Sequence, residues 1–141
     1  MQDRPTAVEL LQQVERFLRE EAMPNLDRLR RYHALVSANA VRAIARELEM
    51  EEGQLLEEWE GLNSLLGPAE RPSQLSQLRE AVHRRTEGLC QRIRAGEADE
   101  GPYRQQVLEY LRRMVRHKLL VNDPGWLERS DKDTSQGLLA E

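Results

Sequence analysis

The segment from Asn25 to Met50 constrains the fold of this chain more than any other part of the sequence. At about 100° per residue, a helix formed by this segment has a continuous apolar face. That face consists of Leu29, Tyr32, Val36, Ala40, Ala43 and Ile44, and it is widened by Ala34, Ala38, Val41, Ala45 and Leu48. A helix that is apolar over more than half of its circumference has neighbours on most of its sides. We therefore predict an all-α fold, a bundle of about five helices around this buried second helix.

Capping residues and helix breakers define the other predicted helices. Thr6 and Glu9 have the spacing of a capping box at the start of the first helix. Gly53 interrupts the apolar pattern after the central helix, and Gly96 is placed as the C′ residue that ends the fourth one. The five predicted helices cover about residues 6–22, 25–50, 55–66, 73–95 and 102–122.

These boundaries predict one helical-bundle domain over residues 1–122 and a C-terminal extension over residues 123–141. The extension is mostly polar, so we expect it to be partly disordered. Trp126 and Leu127, near its start, are expected to fold back onto the bundle.

Length and composition indicate a single cytoplasmic domain. The chain has 141 residues, of which 33% are charged and 4% aromatic, a balance typical of helical proteins of one domain. Its formal net charge of −4 argues against a main role in coating nucleic acid or an anionic membrane. No apolar run approaches the ~20 residues that cross a bilayer, and the N-terminal residues lack the layout of a signal peptide. The single cysteine, Cys90, cannot form an internal disulfide and fits a reducing compartment.

Two charged residues interrupt the apolar faces. Lys118 lies within the apolar arc of the last helix, where its ammonium group must either reach solvent along its stem or pair with a carboxylate. Depending on the topology, the carboxylate is that of Glu21, Asp27 or Glu47. Glu47 lies near the predicted end of the central helix, where negative charge is disfavoured, so it also requires a cation. We interpret Lys118 as half of a structural ion pair; a reactive lysine is the alternative.

The sequence predicts neither a catalytic centre nor a cofactor site. His33 lies on the inner side of the central helix, one turn before Ser37, but no third group is placed to orient its imidazole. We therefore expect a core histidine. Glu80 and His83 form one E-x-x-H pair, whereas a di-iron bundle needs two such pairs and two further glutamates. The basic clusters around Arg30, Arg85 and Arg113 alternate with acidic residues and are interpreted as solvated helix faces.

Three stretches resemble an uncharacterised family of all-helical domains. They are RPTAVELLQQVERFLREEAMPNL, YHALVSANAVRAIAREL, and IRAGEAD followed by LVNDPGW. The family is found beside, or fused to, aminoglycoside-phosphotransferase-like kinases and often near acyl-CoA dehydrogenases. The resemblance covers about residues 4–126 and implies an accessory role but no established activity. The positions that look characteristic of the family are His33, Asn39, Arg46, Glu47, Gly96 and Lys118.

Two functions remain open on the sequence alone. The first is a non-catalytic accessory or interaction module, linked to a small-molecule kinase or an acyl-CoA pathway, that forms a homodimer or binds the kinase-like protein. The alternative is a small helical ligand-binding protein or enzyme with a pocket near His33 and Lys118. The candidate polar residues in both cases are His33, Asn39, Arg46, Glu47 and Lys118.

Overall fold

Five α-helices make up the fold of the computed structural model, which describes residues 3–137 and the side chains up to residue 130. They are α1 (Ala7–Arg16), α2 (Arg28–Leu66), α3 (Leu75–Arg94), α4 (Gly101–Asn122) and α5 (Pro124–Gly137). A π-helical segment (Phe17–Ala22) and a 3₁₀ turn (Met23–Asn25) link α1 to α2. No strand is present in the described residues. The predicted all-α bundle is confirmed.

The second helix is continuous through the predicted break. It spans 39 residues, or about 58 Å at 1.5 Å per residue, and it includes what the sequence predicted as a separate third helix. The prediction at Gly53 was wrong because a glycine inside an exposed helix keeps its backbone hydrogen bonds and costs only about 1 kcal/mol. Packing at both ends of α2 outweighs that cost.

The helix count nevertheless stays at five because α5 was not predicted. Asp123 caps α5, since its carboxylate and its carbonyl oxygen both accept hydrogen bonds from the Trp126 N–H. Leu127 is buried, as expected, whereas Trp126 is 49% exposed. Residues 138–141, part of the extension predicted to be partly disordered, lie outside the described residues.

The main core lies where the C-terminal half of α2 packs against α3 and α4. The buried residues that form it are Trp59, Leu62, Leu65, Leu78, Ala81, Val82, Leu89, Val107, Tyr110 and Met114. Leu62, at 0% exposure, and Leu89 are its largest fully buried side chains. Gly61 allows the Tyr110 ring to lie directly on α2, because a Cβ atom at Gly61 would be 2.6 Å from Tyr110 Cδ2.

Two arginines of α3 bind the C-terminal end of α2. Arg85 donates hydrogen bonds to the carbonyl oxygens of Leu62 and Gly67, and Arg92 donates one to that of Leu65. The last carbonyl groups of a helix have no hydrogen-bond partner within the helix and carry the negative end of its dipole. The two guanidinium groups supply these missing hydrogen bonds, and their positive charge stabilises this end of α2. Arg85 also stacks on the Trp59 ring at 5.1 Å. Its interpretation as part of a solvated cluster was therefore wrong.

Helix α1 and the N-terminal half of α2 form an antiparallel hairpin, which we call the arm. Ala34, Ala38 and Ala45 are buried on the side of α2 that faces α1, because small side chains let the two helices approach closely. Arg19 donates a 2.6 Å hydrogen bond to the Asn39 side chain and so joins the two helices. Among the described helices, α1 packs closely only on α2 and on the turns that follow α1 itself.

Two of the local signals at helix ends, the capping box and the C′ glycine, are confirmed. Thr6 and Glu9 form the reciprocal capping box. After α3, Gly96 has a φ of +85°, and the N–H groups of Gly96 and Glu97 bond the carbonyl oxygens of Ile93 and Arg92. This pair of bonds is the Schellman motif, whose left-handed residue favours glycine.

Two glycine substitutions in α2 should have opposite effects on stability. Gly61→Ala is expected to lower the free energy of unfolding by about 1–3 kcal/mol, since the new methyl group collides with Tyr110. Gly53→Ala is the matched control: nothing lies within 4 Å of its Cβ position, so it should stabilise the protein by about 0.5–1 kcal/mol. Urea unfolding measures both values. Equal stabilisation by the two variants would contradict the close contact between Gly61 and Tyr110.

Candidate interaction surface

The apolar face of α2 that the sequence predicted to be buried is largely exposed along the arm. Leu29 is 65% exposed and Tyr32 62%, and Val36, Ile44 and Leu48 are each about half exposed. The prediction of a buried central helix therefore holds for the C-terminal half of α2 but is wrong for this face of its N-terminal half. The closely packed side of this half is the opposite one, where the buried alanines face α1.

This exposed face continues into the core. Leu55, Leu62 and Leu65 follow Ile44 and Leu48 on the same side of α2 at helical spacing. This side of α2 is buried at one end and exposed at the other because its neighbours are shorter: α3 has 20 residues and α4 has 22, whereas α2 has 39. Their first polar contacts with α2 are the ion pair of Arg79 with Glu51 and the hydrogen bond from Gln54 to the carbonyl oxygen of His117. The apolar face of α2 therefore extends beyond the part that α3 and α4 cover.

Helix α1 adds three exposed apolar side chains, Leu10, Val14 and Phe17. Around the axis of α1, these side chains lie about 120° from the face that packs on α2. The exposed face of α2 is rotated in the same sense from the face that packs on α1. In two antiparallel helices this places both sets on the same side of the hairpin. We call this surface the arm face; it comprises Leu10, Val14, Phe17, Leu29, Tyr32, Val36, Ala40, Ile44 and Leu48.

The arm face is larger than the apolar patches of ordinary monomers. Eight of its side chains are each about half exposed, which amounts to roughly 800 Å² in total, against ≈ 300–600 Å² for the largest patch of a typical monomer. Patches of this size mark contacts with other molecules.

A second apolar surface lies between α4 and α5. This groove, with a volume of about 480 Å³, is lined by six apolar residues, Leu108, Leu111, Val115, Leu119, Trp126 and Leu127, together with Arg112, Arg113, Arg116 and Ser130. Val115 is the most exposed of its apolar residues. The groove combines an apolar floor with a basic rim.

The predicted polar core does not form one cluster. His33 is exposed on the arm, with its ring centroid 6.0 Å from that of Tyr32, so the prediction of a core histidine was wrong. It also takes no part in a pocket with Lys118. The reason is the one that exposes Tyr32: no helix of the described chain covers this side of α2.

Glu47 and Lys118 do line one cleft, of about 300 Å³, between α2 and α4. Both side chains are exposed, and within the described residues neither makes an ion pair shorter than 4 Å. Lys118 therefore reaches solvent along its stem, the first of the two options that its position allows. The argument that Glu47 lies near a helix C-terminus was wrong, because α2 continues to Leu66.

His117, which the sequence did not single out, lies deeper in the same cleft. Its Nε2 atom is 3.1 Å from Glu57 Oε2, its side chain is mostly buried, and its Nδ1 atom is buried with no partner among the described residues. The sequence signal was a histidine one residue before Lys118, at the edge of the apolar arc of α4.

Asn39 and Arg46 lie together on the other side of the arm. With Arg42, Asp123 and Gly125 they line a cleft of about 540 Å³ at the start of α5. The pKa of Arg46 is lowered because burial desolvates its guanidinium and because Arg42 repels it, while Asp123 acts in the opposite direction. The buried Nε atom of Arg46 has no partner in the described chain.

Tyr110 connects the core to the polar cleft. Its hydroxyl donates a 3.3 Å hydrogen bond to Glu58, which lines the cleft. Burial raises the pKa of this hydroxyl far above its ordinary value of 10.0, and the charge of Glu58 raises it further. Tyr110 is therefore a neutral hydrogen-bond donor over the physiological range.

Three further observations concern chemistry that the sequence left open. Within the described residues, no group of three His, Cys, Asp or Glu side chains is placed to hold a metal ion. None of the described helices is long and apolar enough to span a membrane. Cys90, which the pattern of α3 placed among its inner residues, is instead exposed.

Comparison with known proteins identifies a family but no activity. The family model of a domain of unknown function, DUF6285, matches residues 24–126. No curated protein and no solved structure matches the chain. The matched region contains the whole of α2, α3 and α4, and therefore the core, the polar cleft and most of the arm face.

The raised pKa of Tyr110 should make stability depend on pH. Unfolding frees a hydroxyl that ionises near pH 10, so this part of the stability is complete below that pH and is lost as the pH rises further, by up to ~1.4 kcal/mol per pH unit. Tyr110→Phe should remove this component, at a cost of about 1 kcal/mol at neutral pH for the lost hydrogen bond. Urea unfolding near pH 8 and near pH 11 tests this. If the wild-type protein and Tyr110→Phe lost the same free energy of unfolding between pH 8 and pH 11, this role of Tyr110 would be contradicted.

Proposed function

The chain belongs to the family of the domain of unknown function DUF6285, and we propose that it is a non-catalytic accessory module that acts by binding other proteins. The partner enzyme that we propose is an aminoglycoside-phosphotransferase-like kinase, with a step of an acyl-CoA pathway as its wider context. The resemblance to a domain family encoded beside such kinases supports this choice. We also propose that the protein acts in the cytoplasm.

One observation carries the proposal: more apolar surface is uncovered than a self-contained domain leaves in water. The arm face alone exposes eight large apolar side chains on one side of a hairpin, although α2 is the helix with the most apolar surface to bury. An arrangement of this kind supports a role in which the missing cover is another protein.

The groove between α4 and α5 is the surface that we assign to the kinase. Its apolar floor would receive aliphatic or aromatic side chains, and its rim, which includes Arg112 and Arg113, favours Asp or Glu around them. Arginine and tryptophan are enriched among the residues that dominate binding energy at interfaces. Complementary charge at the rim favours a partner with an acidic surface.

Co-purification tests this assignment. We expect the full chain to retain a kinase-like protein encoded beside it, and Val115→Glu to reduce retention at least about tenfold, because a carboxylate would then lie in the apolar floor. Gln106→Glu is the matched control, since it adds the same side chain to α4 at an exposed position outside the groove. The measured quantities are the recovered kinase and its steady-state kinetics.

Failure of the wild-type chain to retain the kinase, with no change in the kinetics of that enzyme, would contradict the kinase assignment. Equal loss in Val115→Glu and Gln106→Glu would contradict the role of the groove.

A second candidate function, binding of a small ligand, is favoured by the cleft that contains Lys118, in which Glu47, Glu51 and Glu58 lie together with Lys118 and Arg79. Its volume of about 300 Å³ is at the lower end of the range for ligand pockets, and Lys118 and the unpartnered Nδ1 atom of His117 both lie in it. His33, which the sequence placed in such a pocket, is not among the residues that line it.

A thermal-shift screen with acyl-CoA thioesters, nucleotides and sugar phosphates tests this second function. A ligand at a hundred times its Kd stabilises the protein by about 2.7 kcal/mol, and Lys118→Ala should abolish the shift, whereas Arg84→Ala, an exposed cation outside the cleft, should preserve it. Absence of any shift across the panel would contradict the ligand-binding function.

A further inference from the structure

We propose that the arm face is the interface of a homodimer, in which the α2 helices of two copies cross in antiparallel orientation at Ala40. This inference deepens the proposed function, since it assigns an occupant to the surface that carries it. The kinase would then bind the groove between α4 and α5, which remains accessible in such a dimer because it lies on other helices.

The spacing of the arm face fits a twofold axis at Ala40. Tyr32, Val36, Ala40, Ile44 and Leu48 follow one another at intervals of four residues. In an antiparallel pair with Ala40 at the axis, Tyr32 lies opposite the partner's Leu48, and Val36 lies opposite the partner's Ile44. Each of these four large side chains therefore lies opposite an apolar side chain of the other copy, as a self-complementary interface requires, whereas Leu29 lies opposite the partner's Glu51.

Ala40 is the smallest residue of this row and lies at its middle, so the two helices can approach most closely where they cross. A row at intervals of four is the ridge that packs into the matching groove of another helix, at a crossing angle near −50° and an interaxial distance of 8–10 Å. At such an angle the helices diverge from the axis. Leu10, Val14 and Phe17 of α1 lie on the same side of the arm and would cover the space on either side of the crossing point.

The charges at the two ends of the row favour the antiparallel orientation. Arg28 and His33 flank its N-terminal end, and Glu47 and Glu52 flank its C-terminal end, while Arg30 and Glu51 already pair with Asp27 and Arg79. An antiparallel pair places the basic end of each copy beside the acidic end of the other, and His33 is as far from Ala40 as Glu47 is. A parallel pair would place like charges together, which is unfavourable at an interface.

The exposed area matches this occupant. Roughly 800 Å² of arm face per copy equals the contribution of one partner to an interface of standard size. Part of this area belongs to α1, so an interface of standard size requires both helices of the arm.

The mass of the full-length chain in solution tests the dimer directly. We expect sedimentation velocity to give twice the monomer mass of 16.4 kDa at about 10 μM protein, a concentration at which interfaces of this size are normally formed. Val36→Glu should convert the protein to the monomer. Gln91→Glu is the matched control, because it adds the same side chain at an exposed position near the far end of α3 and should leave the dimer intact.

Crosslinking and charge exchange test the register. A short bis-maleimide should join two copies of Ala40→Cys, whereas the native Cys90, which is exposed but lies on α3, should give no crosslink in the wild-type chain. His33→Glu should weaken the dimer at least about threefold, and the double variant His33→Glu/Glu47→Lys should restore it. A dimer that fails both tests would overturn the crossing at Ala40.

The same variants separate this inference from the proposed function. A monomeric wild-type chain that retains the kinase, and loses it in Val36→Glu, would overturn the dimer and leave the accessory function in place, with the kinase on the arm face. A monomeric chain that also fails to retain the kinase would overturn both.

Discussion

The packing of Trp59, Leu62 and Leu65 against α3 and α4 is the interaction on which the rest of the structure depends. It fixes one end of a 39-residue helix, and the remainder of that helix projects from the bundle with α1 along one side and the start of α5 near Arg46. Close approach at Gly61 and the arginine contacts at the end of α2 strengthen the same junction. The arm exists because α3 and α4 are too short to cover α2 along its whole length.

This inequality of length gives the molecule two regions with different packing. In the bundle, large aliphatic and aromatic side chains fill the space between three helices. In the arm, small alanines join two helices along one side, and larger residues are displayed on another. The polar clefts form at the boundary between the two regions, where α4 ends and α5 begins beside α2. Accordingly, the residues that line these clefts belong partly to the arm and partly to the bundle.

The candidate polar residues show how far sequence reasoning extends to sites. Periodicity directed attention to Lys118 and Glu47, which line one cleft without forming an ion pair, whereas Asn39 and Arg46 were named from the family resemblance and not from periodicity. It could not place His33, because a face that looks like core in one helix is core only if another helix covers it. Nor could it identify Arg85 and Arg92 as ligands of carbonyl groups, since their partners lie more than 15 residues away in the chain.

The sequence by itself determined the elements that depend on neighbouring residues. The helical class, the capping box at Thr6 and the left-handed glycine at Gly96 all follow from interactions within four or five positions of the chain, so they could be predicted locally. The cap at Asp123 that starts α5 is equally local, although the sequence analysis missed it. Tertiary structure alone decided that α2 continues through Gly53 and that the face around Ala40 has no neighbour among the described residues. Each of these outcomes depends on packing between segments that are distant in the chain. Helical periodicity shows which face of a helix is apolar, but it does not show which other helix covers that face.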